Sequence, residues 1–298
     1  MIAGAFPSSY TLPTTKYISA KGSPARIHSA CTDSLRLEHP HWPLIWMLLL
    51  TQMSVGVNLV SVFLLLTHNS TPVPELAATA SLTLIAGLAT SIFHLGRPLK
   101  AWRTVLGWRR SWMSREILAF SVYAALATSF FCFPQNLSLA LATVLAGVGC
   151  VFTSAMIYVD TRRPGWSAKS VLPAFFGTTA LLGPTVGGAI CSWFAPGLAP
   201  TLALIATIVR TVLFGWRFST LAASRSTIFR LARGTRPATI GLFLISTLFS
   251  ILAIFDYARQ GLWWALIACV STISAQALDR WIFFVGTPAP RMPGAFSP

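Results

Sequence analysis

Two residues with proton-handling side chains, His94 and Glu116, bracket the stretch HLGRPLKAWRTVLGWRRSWMSRE between two long apolar segments. That stretch holds six of the chain's 22 Lys and Arg residues and one of its seven acidic residues. A half-buried imidazole or a desolvated carboxyl group can accept a proton from a bound ligand. At membrane depth this pair suits a quinol headgroup, whose oxygens need hydrogen-bond partners and whose oxidation releases two protons with two electrons. The electrons also need an acceptor. A b-type haem usually takes paired histidines on facing helices, and here only His94 falls at membrane depth. His28, His39, His41 and His68 lie in tails or loops. Cys31, Cys132, Cys150, Cys191 and Cys269 are scattered, with no CxxC pair. That spacing supports neither a zinc site nor an iron–sulfur cluster within the protein. The electron acceptor is therefore expected in a different polypeptide.

The elements that must hold this pair follow from composition. Of 298 residues, 54% are hydrophobic and 10% charged, with a mean hydropathy of +0.67. Soluble domains run near a quarter charged, so the sequence reads as an integral membrane protein. The apolar runs are continuous rather than alternating, which predicts helices and excludes a barrel. Eight spans are expected, at about 44–66, 76–93, 116–133, 138–159, 171–194, 198–218, 237–257 and 262–286. The fold class is an all-α integral-membrane bundle of eight transmembrane helices, without an evident sequence repeat. Gly183-Pro184 and Gly187-Gly188 predict an interruption of the fifth span. Residues 1–40 read as a poorly ordered tail without a signal-peptide core, 41–288 as the membrane domain and 289–298 as a Pro-rich tail.

Loop charge sets the expected orientation. The two tails and loops 2–3, 4–5 and 6–7 carry 19 Lys and Arg residues, whereas the opposite loops carry one, Arg259. The positive-inside rule then places both termini in the cytoplasm. The same asymmetry accounts for the net charge of +15 without invoking nucleic acid. Alternation of the spans puts His94, Glu116, Asp160, Arg210, Asp279 and Arg280 in one leaflet. Such groups usually face a bundle interior or a water-filled cavity, so a polar pocket open to one face is expected.

Each residue also has a structural reading. Ser114 reads as an N-cap that would place Glu116 in a first helical turn. Asp279 can neutralise Arg280 or Arg210. The segment after Pro98, with Leu99, Trp102 and Leu106 on one face, reads as an interfacial amphipathic helix. Its basic residues equally offer a docking platform for an extrinsic subunit.

His-Leu-Gly-Arg-Pro at 94–98 and Trp-Met-Ser-Arg-Glu-Ile at 112–117 resemble motifs of the membrane anchor subunit of dimethyl sulfoxide reductase. In that family the first motif ends the second helix and the second opens the third. Trp42-Pro43-Leu44, Gly183-Pro184 and Asp279-Arg280 resemble its first, fifth and eighth helices. The resemblance implies an anchor in the bacterial inner membrane that holds no haem, iron–sulfur cluster or molybdenum. It would oxidise menaquinol or another quinol and pass electrons to an iron–sulfur subunit and thence to a molybdopterin catalytic subunit, in a heterotrimer. It also implies His94 and Glu116 as the quinol-site pair, with Arg97 and Arg280 as further quinol contacts. Family precedent places the termini outside, opposite to the charge count. Two other readings stay open: a purely structural tether for soluble subunits, and a secondary transporter built on the broken fifth helix.

Overall fold

The computed structural model describes residues 41–92, 103–105, 107–163, 165–223, 227–256 and 260–285, except the side chains of 217–218, 220–223 and 227–236. Among these residues are eight α-helices. They are α1 (Trp42–Leu66), α2 (Val73–Ile92), α3 (Trp112–Cys132) and α4 (Leu137–Asp160), then α5 (Ala168–Phe194), α6 (Ala199–Ala223), α7 (Thr227–Phe255) and α8 (Gly261–Val285). Each contains a stretch long and apolar enough to cross a membrane. The protein is thus an all-α, eight-helix membrane bundle. His94 and Arg97, the proposed amphipathic segment up to Trp102, and both predicted tails up to residue 40 and from 289 lie outside the described residues.

Helix-to-helix contacts divide the bundle into two rings of four. In the first, α1 touches α2 and α4 while α3 touches α2 and α4; in the second, α5 touches α6 and α8 while α7 touches α6 and α8. The seam between them is made chiefly by α1 against α5, α4 against α5 and α1 against α8. Exchanging the first four helices for the last four preserves this pattern. Three spans lie between α1 and α5, so the two run in the same direction through the bilayer. An internal repeat is therefore present in the architecture although none is evident in the residues. Helical packing needs only similar lengths and small contact residues, which many sequences supply.

The seam is closest where α1 and α5 cross. A Cβ on Gly56 would meet the Thr179 carbonyl oxygen and sit 2.8 Å from the Gly183 nitrogen, and one on Gly183 would meet the Gly56 carbonyl. The backbones touch there, as small residues allow in membranes. This corrects the expected interruption of the fifth span, because α5 runs unbroken through both Pro173 and Pro184. Pro184 removes one ladder donor, but packing on both faces of this largely buried helix holds its course. Its glycines serve close approach rather than a break.

Buried polar side chains tie the first ring together. Ser54 Oγ donates to the Ala80 carbonyl at 2.7 Å, which leaves Tyr123 Oη to donate to Ser54 Oγ at 2.7 Å. Asn58 Nδ2 donates to the same Tyr123 oxygen at 2.9 Å. Helices α1, α2 and α3 are joined by this group, and Tyr123 is fully buried. Inside a bilayer these side chains have no water to bond instead, so the bonds they make to one another hold the helices in register.

Candidate functional site

Helix α3 begins at Trp112, a full turn before the expected 116, and Ser111 rather than Ser114 stands at its N-cap position. The Ser111 side chain makes no capping bond. Ser114 lies inside the helix, buried, and its hydroxyl donates back to the Thr104 carbonyl at 2.5 Å. Arg115 reaches the same preceding segment. Its Nε donates to the Trp108 carbonyl at 3.0 Å and its Nη2 to the Arg109 carbonyl at 2.9 Å. The Arg115 guanidinium also lies 4.3 Å from the Trp112 ring centroid. Thus Ser-Arg at 114–115 clamps the loop arriving from the His94 motif onto the start of α3. Residues 103–105 are a short 3₁₀ turn.

Glu116 follows directly, half-buried, on the second turn of α3. Its Oε1 accepts a hydrogen bond from the hydroxyl of Ser154 on α4, which is 2% exposed. The reading of Glu116 as a first-turn acid is corrected, since the earlier helix start leaves the first turn without an acidic residue. Its carboxyl is directed across to the neighbouring helix. Tyr158, one turn beyond Ser154, lies within electrostatic reach of both Glu116 and Arg280. The Tyr158 ring is boxed by Trp166, Phe175, Phe283 and Phe284, at centroid distances of 5.1 to 5.6 Å. Trp166 is fixed by its own bond from Nε1 to the Phe283 carbonyl at 3.2 Å.

Arg280 occupies the seam. It has no exposed surface, and its Nη2 donates at 3.0 Å to Gln52 Oε1, the Ala174 carbonyl and Thr178 Oγ1. Its guanidinium carbon lies 4.1 Å from the Phe175 centroid. One side chain on α8 therefore pins α1 and α5 together, and its positive charge stands behind the aromatic box.

The ionisable groups expected in one pocket occupy separate places. Asp160 is exposed at the end of α4. Arg210 is buried in the second ring, bonded to α7 and α8, and Asp279 is half-buried near it. Assigning groups to a leaflet fixes their depth, but not the face of the helix that bears them. Ser154 and Tyr158 escape a reading of the sequence, because a lone hydroxyl in an apolar run has no local signature. The amide pair in the first span is the available signal. Gln52 meets Arg280, and Asn58 meets Tyr123.

A bundle of eight helices able to span a membrane, with a carboxyl group held between two of them beside a clamped basic loop, defines a multi-pass membrane protein. The model of the DMSO reductase anchor subunit (DmsC) matches residues 37–286. The protein belongs to that family. Among similar proteins is a sulfite dehydrogenase subunit of Allochromatium vinosum, 51% identical over 51 residues. That match spans 17% of the present sequence and 16% of the relative. A component of the anaerobic dimethyl sulfoxide reductase of Haemophilus influenzae is 29% identical over 160 residues, spanning 50% of the present sequence and 57% of the relative. The matches thus span less than two thirds of either relative.

Proposed function

We propose that this membrane anchor binds a quinol, menaquinol by the family resemblance, and oxidises it beside Glu116. The observation that carries the reading is the Glu116 carboxyl, placed inside a membrane span and oriented by the Ser154 hydroxyl. A quinol hydroxyl presented to the free oxygen of that carboxyl transfers its proton there. His94, which opens the same loop, is the second proposed acceptor, with Arg97 beside it as a hydrogen-bond donor to the ring oxygens. Two protons and two electrons leave the quinol, and a quinone remains. Within this proposal Arg280 acts indirectly, its charge lying behind Tyr158.

The electrons pass to an iron–sulfur subunit and on to a molybdopterin catalytic subunit, both separate polypeptides. Arg103, Arg109, Arg110 and Arg115 supply the basic docking face. The complex sits in the bacterial inner membrane, and the charge count favours cytoplasmic termini. A phosphatase or fluorescent-protein fusion at the C-terminus tests that orientation, and a periplasmic C-terminus overturns it.

The internal repeat is a feature that transporters share, so its presence does not separate the two readings. Family membership supports the anchor. The deciding experiment is Glu116→Gln in the purified complex with its partner subunits. Quinol-dependent reduction falls by about two orders of magnitude or more, the range for losing a general base, while the subunits still co-purify. Unchanged quinol oxidation sinks the assignment of the site to Glu116, whereas failure of a quinol analogue to bind or inhibit the intact complex favours the tether reading.

A further inference from the structure

The second ring contains a cleft unrelated to Glu116. It encloses about 80 Å³ between α5, α6, α7 and α8. Its floor is buried and polar, formed by Thr178, Arg210, Ser246 and Thr272, and its rim carries Phe214, Phe243 and Trp216. The Phe214 and Phe243 rings stack with centroids 4.1 Å apart. Polar depth under an aromatic mouth is the usual form of a ligand site between bundle helices.

Arg210 gives the floor its chemistry. It is 4% exposed, and its bonds run to neutral acceptors alone. Nη1 donates to the Ser246 carbonyl and Ser250 Oγ, both at 3.0 Å, and Nη2 to Thr272 Oγ1 at 2.8 Å. Its buried Nε has no hydrogen-bond partner. A guanidinium is always charged, and a buried charge without a counter-charge is costly. Asp279 lines the same cleft and is engaged by a group other than Arg210. Arg210 therefore has no anion among its bonded partners.

The position of the cleft says which anion can reach it. Arg210 lies six residues before Trp216, which closes the apolar stretch of α6. That is about 9 Å below the interface at the rise of a helix. The segment after α6 is arginine-rich, with Arg225 before α7 and Arg230, Arg233 and Arg236 on the first turns of α7. A basic pocket between spans on the positively charged side suits a lipid headgroup. We propose that this cleft binds the phosphodiester of an anionic membrane lipid, with Arg210 as its buried counter-charge and the aromatic rim against its glycerol and upper acyl chain. The occupant would bridge α6, α7 and α8 and stiffen the half of the bundle farther from the quinol site.

The test uses the full-length protein, purified in mild detergent and delipidated, then reconstituted in nanodiscs of phosphatidylglycerol or phosphatidylcholine. Native mass spectrometry counts the retained lipid. The wild type retains one phosphatidylglycerol per protein molecule, with a preference over phosphatidylcholine of roughly tenfold or more, about the scale of one charged contact. Arg210→Gln abolishes the preference. Ala275→Phe, which fills the cleft and keeps the arginine, abolishes it independently if the first variant fails to fold. Lys169→Gln, a surface cation elsewhere, leaves it intact. Equal retention of the two lipids, retention unchanged in Ala275→Phe, displacement by inorganic phosphate alone, or a quinone in place of the phospholipid each overturns the proposal.

Discussion

The Ser154 hydroxyl and the Glu116 carboxyl meet across the α3–α4 interface, 38 residues apart in sequence. With one oxygen of the carboxyl held, the other has a defined direction. Removing the hydroxyl in Ser154→Ala keeps the carboxyl but releases its orientation. A hydrogen bond to a charged group contributes about 1.5–3 kcal/mol, so quinol oxidation is expected to fall about 10- to 100-fold. Ser154→Thr should restore most of it. Steady-state quinol oxidation by the intact complex measures this, and full activity in Ser154→Ala would remove Ser154 from the mechanism.

The span count and the importance of 94–117 were legible because both depend on local signals. About 20 apolar residues announce a span whatever surrounds it, and His94, Glu116 and the six cations are conspicuous against 10% charge. What stayed hidden was rotational. The sequence places Arg210 and Glu116 in one leaflet, yet rotation about each helix axis sends them to a second-ring cleft and an α4 hydroxyl. The helix start also differs, because Ser114 finds the Thr104 carbonyl instead of capping. Gly183-Pro184 misleads for a related reason, since glycine marks close approach as readily as a break.

Tyr123→Phe probes the first ring without touching Glu116. Loss of the hydroxyl removes the partner of Asn58 Nδ2 and one bond of Ser54, all fully or almost fully buried. An orphaned buried polar group costs about 1–3 kcal/mol. The variant should therefore melt earlier in detergent while retaining quinol oxidation per folded complex. Loss of turnover without loss of stability would show that the network serves the reaction directly.

Arg280 is a stronger version of the same argument. Its Nη2 reaches acceptors on both α1 and α5, so Arg280→Met strands the buried Gln52 amide oxygen at the seam, while the Thr178 hydroxyl keeps its bonds to the Ala174 carbonyl and Gln276. Destabilisation of about 1–3 kcal/mol is expected from the orphaned amide oxygen, added to the loss of the guanidinium stacking on Phe175. Arg280→Lys should rescue little, because a single ammonium cannot keep both the planar stacking on Phe175 and the fan of bonds. Thermal unfolding of both variants checks this. A lysine variant as stable as wild type would reduce Arg280 to a generic positive charge.

The crossing of α1 and α5 makes a prediction of opposite sign at two glycines. At Gly183 an added methyl group meets the backbone of Gly56, which cannot rotate aside as a side chain can. Gly183→Ala must push the helices apart along the seam that joins the two rings. Overpacking of this kind costs about 1–3 kcal/mol. At Gly241 on α7 nothing lies within 4 Å of the corresponding position. There the same substitution meets no obstacle, and the helix propensity of alanine contributes up to about 1 kcal/mol. Melting in detergent should show Gly183→Ala below wild type and Gly241→Ala at or above it. If both shift the same way, backbone contact between α1 and α5 is not what sets the seam.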